Sequence, residues 1–277
     1  MNRLLLAASL LLVSCSSASS AADMTPTTIT APATVDHWAF DAVLSTYVDA
    51  DGWVDYAGLQ ASDALAPYLE MLAETNPSGL DTSEAIAFWT NVYNAYTLKL
   101  VADSYPVSSI KRITPTGIPL TIPFVHSPFQ INHVVVGGTT YSLDDVEHKI
   151  LRKDFNEPRI HFALVCAAAS CPPLRREAYT GEKLDAQLHD QGLLFLHHPD
   201  KNRVAEPDGD TIYLSRIFQW FRGDFATSKD GLQAFVAPYF EGELREQLTN
   251  QAFRVRFMNY DWSLNDQAKK PAEVAGS

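Results

Sequence analysis

The chain has 277 residues, of which 46% are apolar and 19% charged, enough for the core of one large or two small domains. Its formal net charge is −12. That balance argues against nucleic acid as a partner, because a phosphate backbone demands a basic surface, and it disfavours polyanionic ligands.

Residues 1–14 (MNRLLLAASLLLVS) read as a targeting segment: Arg3 is the positive start and residues 4–13 an apolar stretch too short to span a bilayer. Leu12-Val13-Ser14-Cys15 resembles the bacterial lipobox. Cys15 is therefore expected to be lipidated and to become the N-terminus, tying the chain to a membrane of the cell envelope. Ser16 in place of aspartate points to the outer membrane, facing the periplasm. The other reading is an ordinary secretory signal cut near Ala21 or Ala22. Residues 15–35, rich in Ser, Thr, Ala and Pro, read as a flexible tether.

Helical spacing over 35–47 and 64–73 predicts two helices, separated by the turn Asp49-Ala50-Asp51-Gly52, which lacks the remaining oxygen ligands of a calcium loop. Residues 81–103 form the longest predicted helix, with Asp81 as cap and Glu84 three residues on. It is apolar nearly all round, hence buried, yet it carries Asn91 and Asn94 on one face. Buried amides need partners: either they tie down a neighbouring loop or they touch a ligand. Residues 109–128 form an irregular stretch with four prolines. A hairpin is expected over 129–141 across Gly137-Gly138, then a helix capped by Ser142. Glu147 falls on the apolar stripe of that helix, beside His148, and a core-facing carboxyl requires a reason.

Residues 160–166 read as a central strand, apolar on both faces. Strand parity then sets Cys166 on the face opposite His161. The small residues 167–170 allow close backbone approach, and Pro172-Pro173 stops the element. Later elements are a helix over 183–196, strands about Val204 and 211–214, an aromatic helix capped by Ser215, helices over 232–239 and 242–248, a strand over 253–262, and a polar tail over 266–277. The whole describes one α+β domain over 36–265, with a mixed or antiparallel sheet packed against several helices, loosely like papain and transglutaminase folds.

Four motifs carry a resemblance to the domain-of-unknown-function family numbered 547: FWTNVYNA (88–95), VEHKILR (146–152), PRIHFALVCAAASCP (158–172) and IFQWFRGDF (217–225). The resemblance implies a domain and a residue set rather than an activity. This chain departs from it at Ala167, where the family commonly has glycine, and alanine resists positive φ.

With Cys15 lipidated, Cys166 and Cys171 remain, spaced C-x4-C. They form either a structural disulfide or a site with a nucleophile. The spacing is looser than C-x2-C and no second cysteine pair exists, so neither a metal centre nor a cofactor is expected. In the nucleophile reading Cys166 attacks, His148 is the base, Glu147 or Asn91 orients it, and backbone N–H groups of 167–169 form an oxyanion site. Asn94, Arg159, His161 and Cys171 are the candidate ligand contacts. Function is accordingly expected to be thiol-dependent hydrolysis or acyl transfer on an unknown substrate, or else binding of a small molecule or peptide by a domain in which Cys166–Cys171 is structural.

Overall fold

The structure is a computed structural model that describes residues 33–114 and 127–271. The targeting segment, Cys15, nearly all of the tether, three of the four prolines in 109–128 and the end of the tail lie outside the described residues.

The long helix Thr82–Ser104 is the axis of the fold. The Asp81 carboxylate accepts the Glu84 N–H at 2.9 Å, as its capping position predicts. Asn91 and Asn94 each act as a two-way clip on distant backbone. Asn91 donates to the Tyr179 carbonyl (2.7 Å) and accepts from the Tyr179 N–H (2.9 Å). Asn94 donates to the Ala163 carbonyl (2.9 Å) and accepts from the Val165 N–H (3.0 Å). The helix Ala66–Glu74 packs on the axis, and Trp38–Tyr47 packs on Ala66–Glu74.

The hairpin of β1 (Val134–Val136) and β2 (Thr139–Tyr141) turns through Gly137 and Gly138 at φ 55° and 74°, the positive values that a two-residue turn of this kind requires. In the second sheet, β3 (Arg203–Asp208) runs antiparallel to β4 (Thr211–Leu214), which pairs in parallel with β5 (Arg254–Phe257). Two small sheets among many helices make this an α+β fold in one domain. Among the described residues no helix is long and apolar enough to cross a membrane.

The apolar side chains segregate into two cores. One surrounds the axial helix and includes Phe40, Phe88, Val92, Leu98 and Val165. The other is aromatic and is centred on Phe162, with Phe195, Phe218 and Phe225.

The stretch 160–166 is not a strand. Ile160–Ala163 is a single helical turn, and the chain leaves it extended at Leu164. Asn94 takes the Ala163 carbonyl and the Val165 N–H, two groups that a strand would offer to neighbours. The run is apolar because it passes between the two cores, Phe162 entering one and Val165 the other. Periodicity cannot distinguish these cases in so short a run.

The tail also begins later than expected. Asp266 is buried and accepts from the Tyr105 hydroxyl at 3.1 Å, and Lys270 reaches Asp49 and Asp51 at 2.8 and 2.5 Å. That lysine stands over the 49–52 turn.

Candidate functional site

A cavity of about 180 Å³ opens between the two cores, lined among others by Tyr93, Asp144, Glu147, His148, His161, Cys166, Cys171, Trp220, Phe221, Tyr260 and Trp262. Its acidic wall is Asp144 and the element that follows it, Asp145–Leu151, a π-helical turn in which the Arg152 N–H donates to the Glu147 carbonyl. Ser142 and Asp145 close its start reciprocally: the Asp145 N–H reaches Ser142 Oγ at 3.0 Å and the Ser142 N–H reaches Asp145 Oδ2 at 2.9 Å. The widened turn changes the angular spacing of its side chains, and Glu147 and His148 both line the cavity.

A chain of donors runs around this wall. The Arg152 guanidinium donates through Nε (2.6 Å) and Nη2 (2.9 Å) to the two carboxylate oxygens of Asp224, and through Nη1 (2.9 Å) to His148 Nδ1. A guanidinium only donates, so His148 Nδ1 accepts and its proton sits on Nε2, 3.4 Å from Asp144 Oδ1. By the same reasoning the His161 proton is on Nε2, donated to Asp224 Oδ2 at 2.8 Å. His161 Nδ1 is left facing the Glu147 carboxyl at 3.9 Å. Phe221 stacks on the His161 ring with centroids 4.1 Å apart.

Burial governs the titration of these groups. Loss of water pushes Glu147 up to about 7, with Asp144 and Asp224 adding to the rise and Arg152 opposing it. Burial pushes His161 down to about 4 despite the Asp224 carboxylate, and lowers His148 as well. Both imidazoles are therefore neutral at neutral pH, and Glu147 titrates there.

The two cysteines also line the cavity. Cys166 and Cys171 are joined in a disulfide with Cα atoms 6.3 Å apart. The Tyr260 hydroxyl lies 3.3 Å from one sulfur and 3.2 Å from the other. The loop between the cysteines is held from behind by buried Lys201, which donates to the carbonyls of Ala169 (2.7 Å) and Cys171 (2.6 Å). Ala167 sits at φ 59°, the left-handed region where glycine costs nothing and alanine is strained.

Of the sequence-predicted residues, the cavity gathers Glu147, His148, His161, Cys166 and Cys171. His161 and Cys166 line the same space, so the parity argument fails along with the strand it assumed. Asn91 and Asn94 do not line the cavity; both amides are engaged by backbone, so neither orients an imidazole. Arg159 is held by Glu157 (2.7 Å) and Asp185 (2.8 Å), also away from it. In the 167–169 loop the Ala169 N–H donates to the Ser263 carbonyl at 2.8 Å, which removes it from any oxyanion site.

Sequence reasoning missed Asp224, Arg152, Tyr93, Tyr260 and the Trp220–Trp262 wall. Part of the signal is local: Tyr93, Arg152, Trp220, Phe221 and Asp224 all lie inside the four family-like motifs. Tyr260 and Trp262 had no local signal, since they approach the cysteines only through the fold.

The family model described as "Protein of unknown function, DUF547" matches residues 77–196. That segment supplies Tyr93, the π-helical turn, His161 and the cysteines; the indole wall comes from beyond it, as does Asp224, which holds His161 and Arg152. No curated protein and no solved structure matches the chain, so the likeness to papain and transglutaminase folds has no support from either.

Proposed function

We propose that this chain, whose residues 77–196 belong to the DUF547 family, is a lipid-anchored protein of the bacterial envelope whose folded domain binds a small ligand in the Glu147 cavity. The observation that carries this reading is the Cys166–Cys171 disulfide. A sulfur bonded to sulfur is no nucleophile, and an oxidising envelope keeps such bonds intact. What the cavity then offers is a recognition surface: a buried carboxyl, two neutral imidazoles and a set of aromatic faces, the usual make-up of a small-molecule site.

The test is alkylation. Protein isolated from the envelope without reductant should leave Cys166 unlabelled by iodoacetamide and gain label only after reduction. A Cys166 that alkylates rapidly as isolated sinks the reading. It would favour the thiol-dependent alternative, which rests on Cys166, His148, His161 and Glu147 lining one cavity. Anchoring is tested separately: Cys15→Ser should abolish incorporation of labelled palmitate and release the chain from the membrane fraction.

A further inference from the structure

The cavity has a charge bias that binding in general does not explain. Among the described residues its lining holds two carboxyls, Asp144 and Glu147, but no lysine or arginine. Its two imidazoles, His148 and His161, are kept neutral by burial, and the nearby Arg152 is engaged by Asp224. The same lining carries the rings of Trp220, Tyr260 and Trp262, with centroids 4.7, 4.7 and 5.7 Å apart. Aromatic faces are negative and attract cations within about 6 Å of the centroid. This wall already does so: the Lys111 ammonium lies 3.4 Å from the Trp262 centroid.

Size narrows the class. About 180 Å³ is less than the roughly 300–1,000 Å³ of sites that enclose a drug-sized molecule. It suits one end of a ligand, on the scale of a lysine side chain.

Building on the binding reading, we propose that the cavity receives an alkylammonium group, primary or methylated. The cation packs against Trp220, Tyr260 and Trp262 and pairs with the carboxylates of Glu147 and Asp144. A carboxylate ligand would meet the like charge of Asp144 and Glu147, and among the described residues that line the cavity there is no lysine or arginine to receive it. A neutral alkyl group would form no ion pair with either carboxyl. Lys111, held on a ring of the same wall, competes with the ligand for that wall.

The experiment titrates four probes into the full chain and follows the indole N–H resonances of Trp220 and Trp262 by NMR, assigned with the corresponding Trp→Phe variants. The probes are tetramethylammonium, n-butylammonium, butyrate and 1-butanol. The two ammonium ions should shift both indoles saturably, and the other two should not. Glu147→Gln should weaken n-butylammonium by about tenfold or more, the worth of one hydrogen bond to a charged group. Lys111→Met should tighten it. The groups facing Glu147 are Tyr93, His161, Asp224 and Tyr260, with Asp144, His148 and Arg152 from its own segment; ammonium affinity should rise with pH as Glu147 ionises among them. Butanol or butyrate binding as tightly as butylammonium overturns the ammonium assignment while leaving a binding domain. Silence from all four probes overturns it too. Rapid alkylation of Cys166 would instead remove the binding-domain reading without touching the cation result.

Discussion

The two cores are built on different terms. The core around Thr82–Ser104 is threaded with polar side chains: Glu84, Asn91, Asn94 and Gln187 are all buried, and each holds backbone from another part of the chain. The core around Phe162 is a set of interlocking rings, where Phe162 meets Phe195, Phe218, Phe225, Phe235 and Tyr239 at centroid distances of 5.7–6.1 Å. The first specifies where loops go, and the second supplies apolar bulk. The cavity lies between them, taking its acidic wall from beside the first and Ile217 and Phe221 from the second. A site made this way is held on one side through hydrogen bonds and on the other through packing.

Substitutions separate the two contributions. The largest effect is expected from Phe162→Ala, which empties the centre of the aromatic core and should cost about 3–5 kcal/mol in urea denaturation. An effect below about 1 kcal/mol would mean that the ring cluster does not hold the second core.

Glu147→Gln tests the site between them, and its sign depends on pH. The folded-state value near 7 lies above the ordinary 4.5, so between these limits the folded protein retains a proton that the unfolded chain releases. Stability therefore falls as pH rises through that window. Above it, Glu147→Gln should stabilise the fold by up to about 3 kcal/mol, and below about pH 4 it should change little. A variant no more stable than the parent at pH 8 would show that Glu147 is not desolvated.

Asn94→Ala is the counterpart of Phe162→Ala in the first core. It strips partners from the Ala163 carbonyl and the Val165 N–H, at about 1–3 kcal/mol. Its signature should be local, with faster amide exchange at 163–166 than in the rest of the domain. Uniform acceleration would contradict the role of a clip. The smallest effect is expected at the disulfide loop. Ala167→Gly relieves a left-handed alanine and should raise stability by about 1 kcal/mol, read as a small upward shift of the thermal midpoint. A loss of stability would mean that the Ala167 methyl packs more than its backbone strains.

Much of the fold was legible because its signals are local. Asp81 three residues before Glu84 marks a helix start, Gly137-Gly138 marks a turn, and Ser142 with Asp145 marks a cap; each acts within one turn of chain. Glu147 and His148 were legible as candidates because a carboxyl on an apolar stripe contradicts its surroundings unless something uses it. The run 160–166 was misread because its apolar character reflects two cores pressing on one short segment, and no sequence period records that.

By itself, then, the sequence determined the caps and turns and the buried axis, and it named Glu147, His148, His161 and the two cysteines, along with Asn91, Asn94 and Arg159, as candidates for a site. It left open which of the buried amides serve ligands and whether the sulfurs pair. Those answers depend on separations across the fold: Asn91 finds Tyr179 88 residues away, His161 finds Asp224 63 residues away, and Tyr260 reaches both sulfurs from about 90 residues away. Hydrogen bonds and desolvation act over a few ångströms, and only the folded chain decides which residues come within that range.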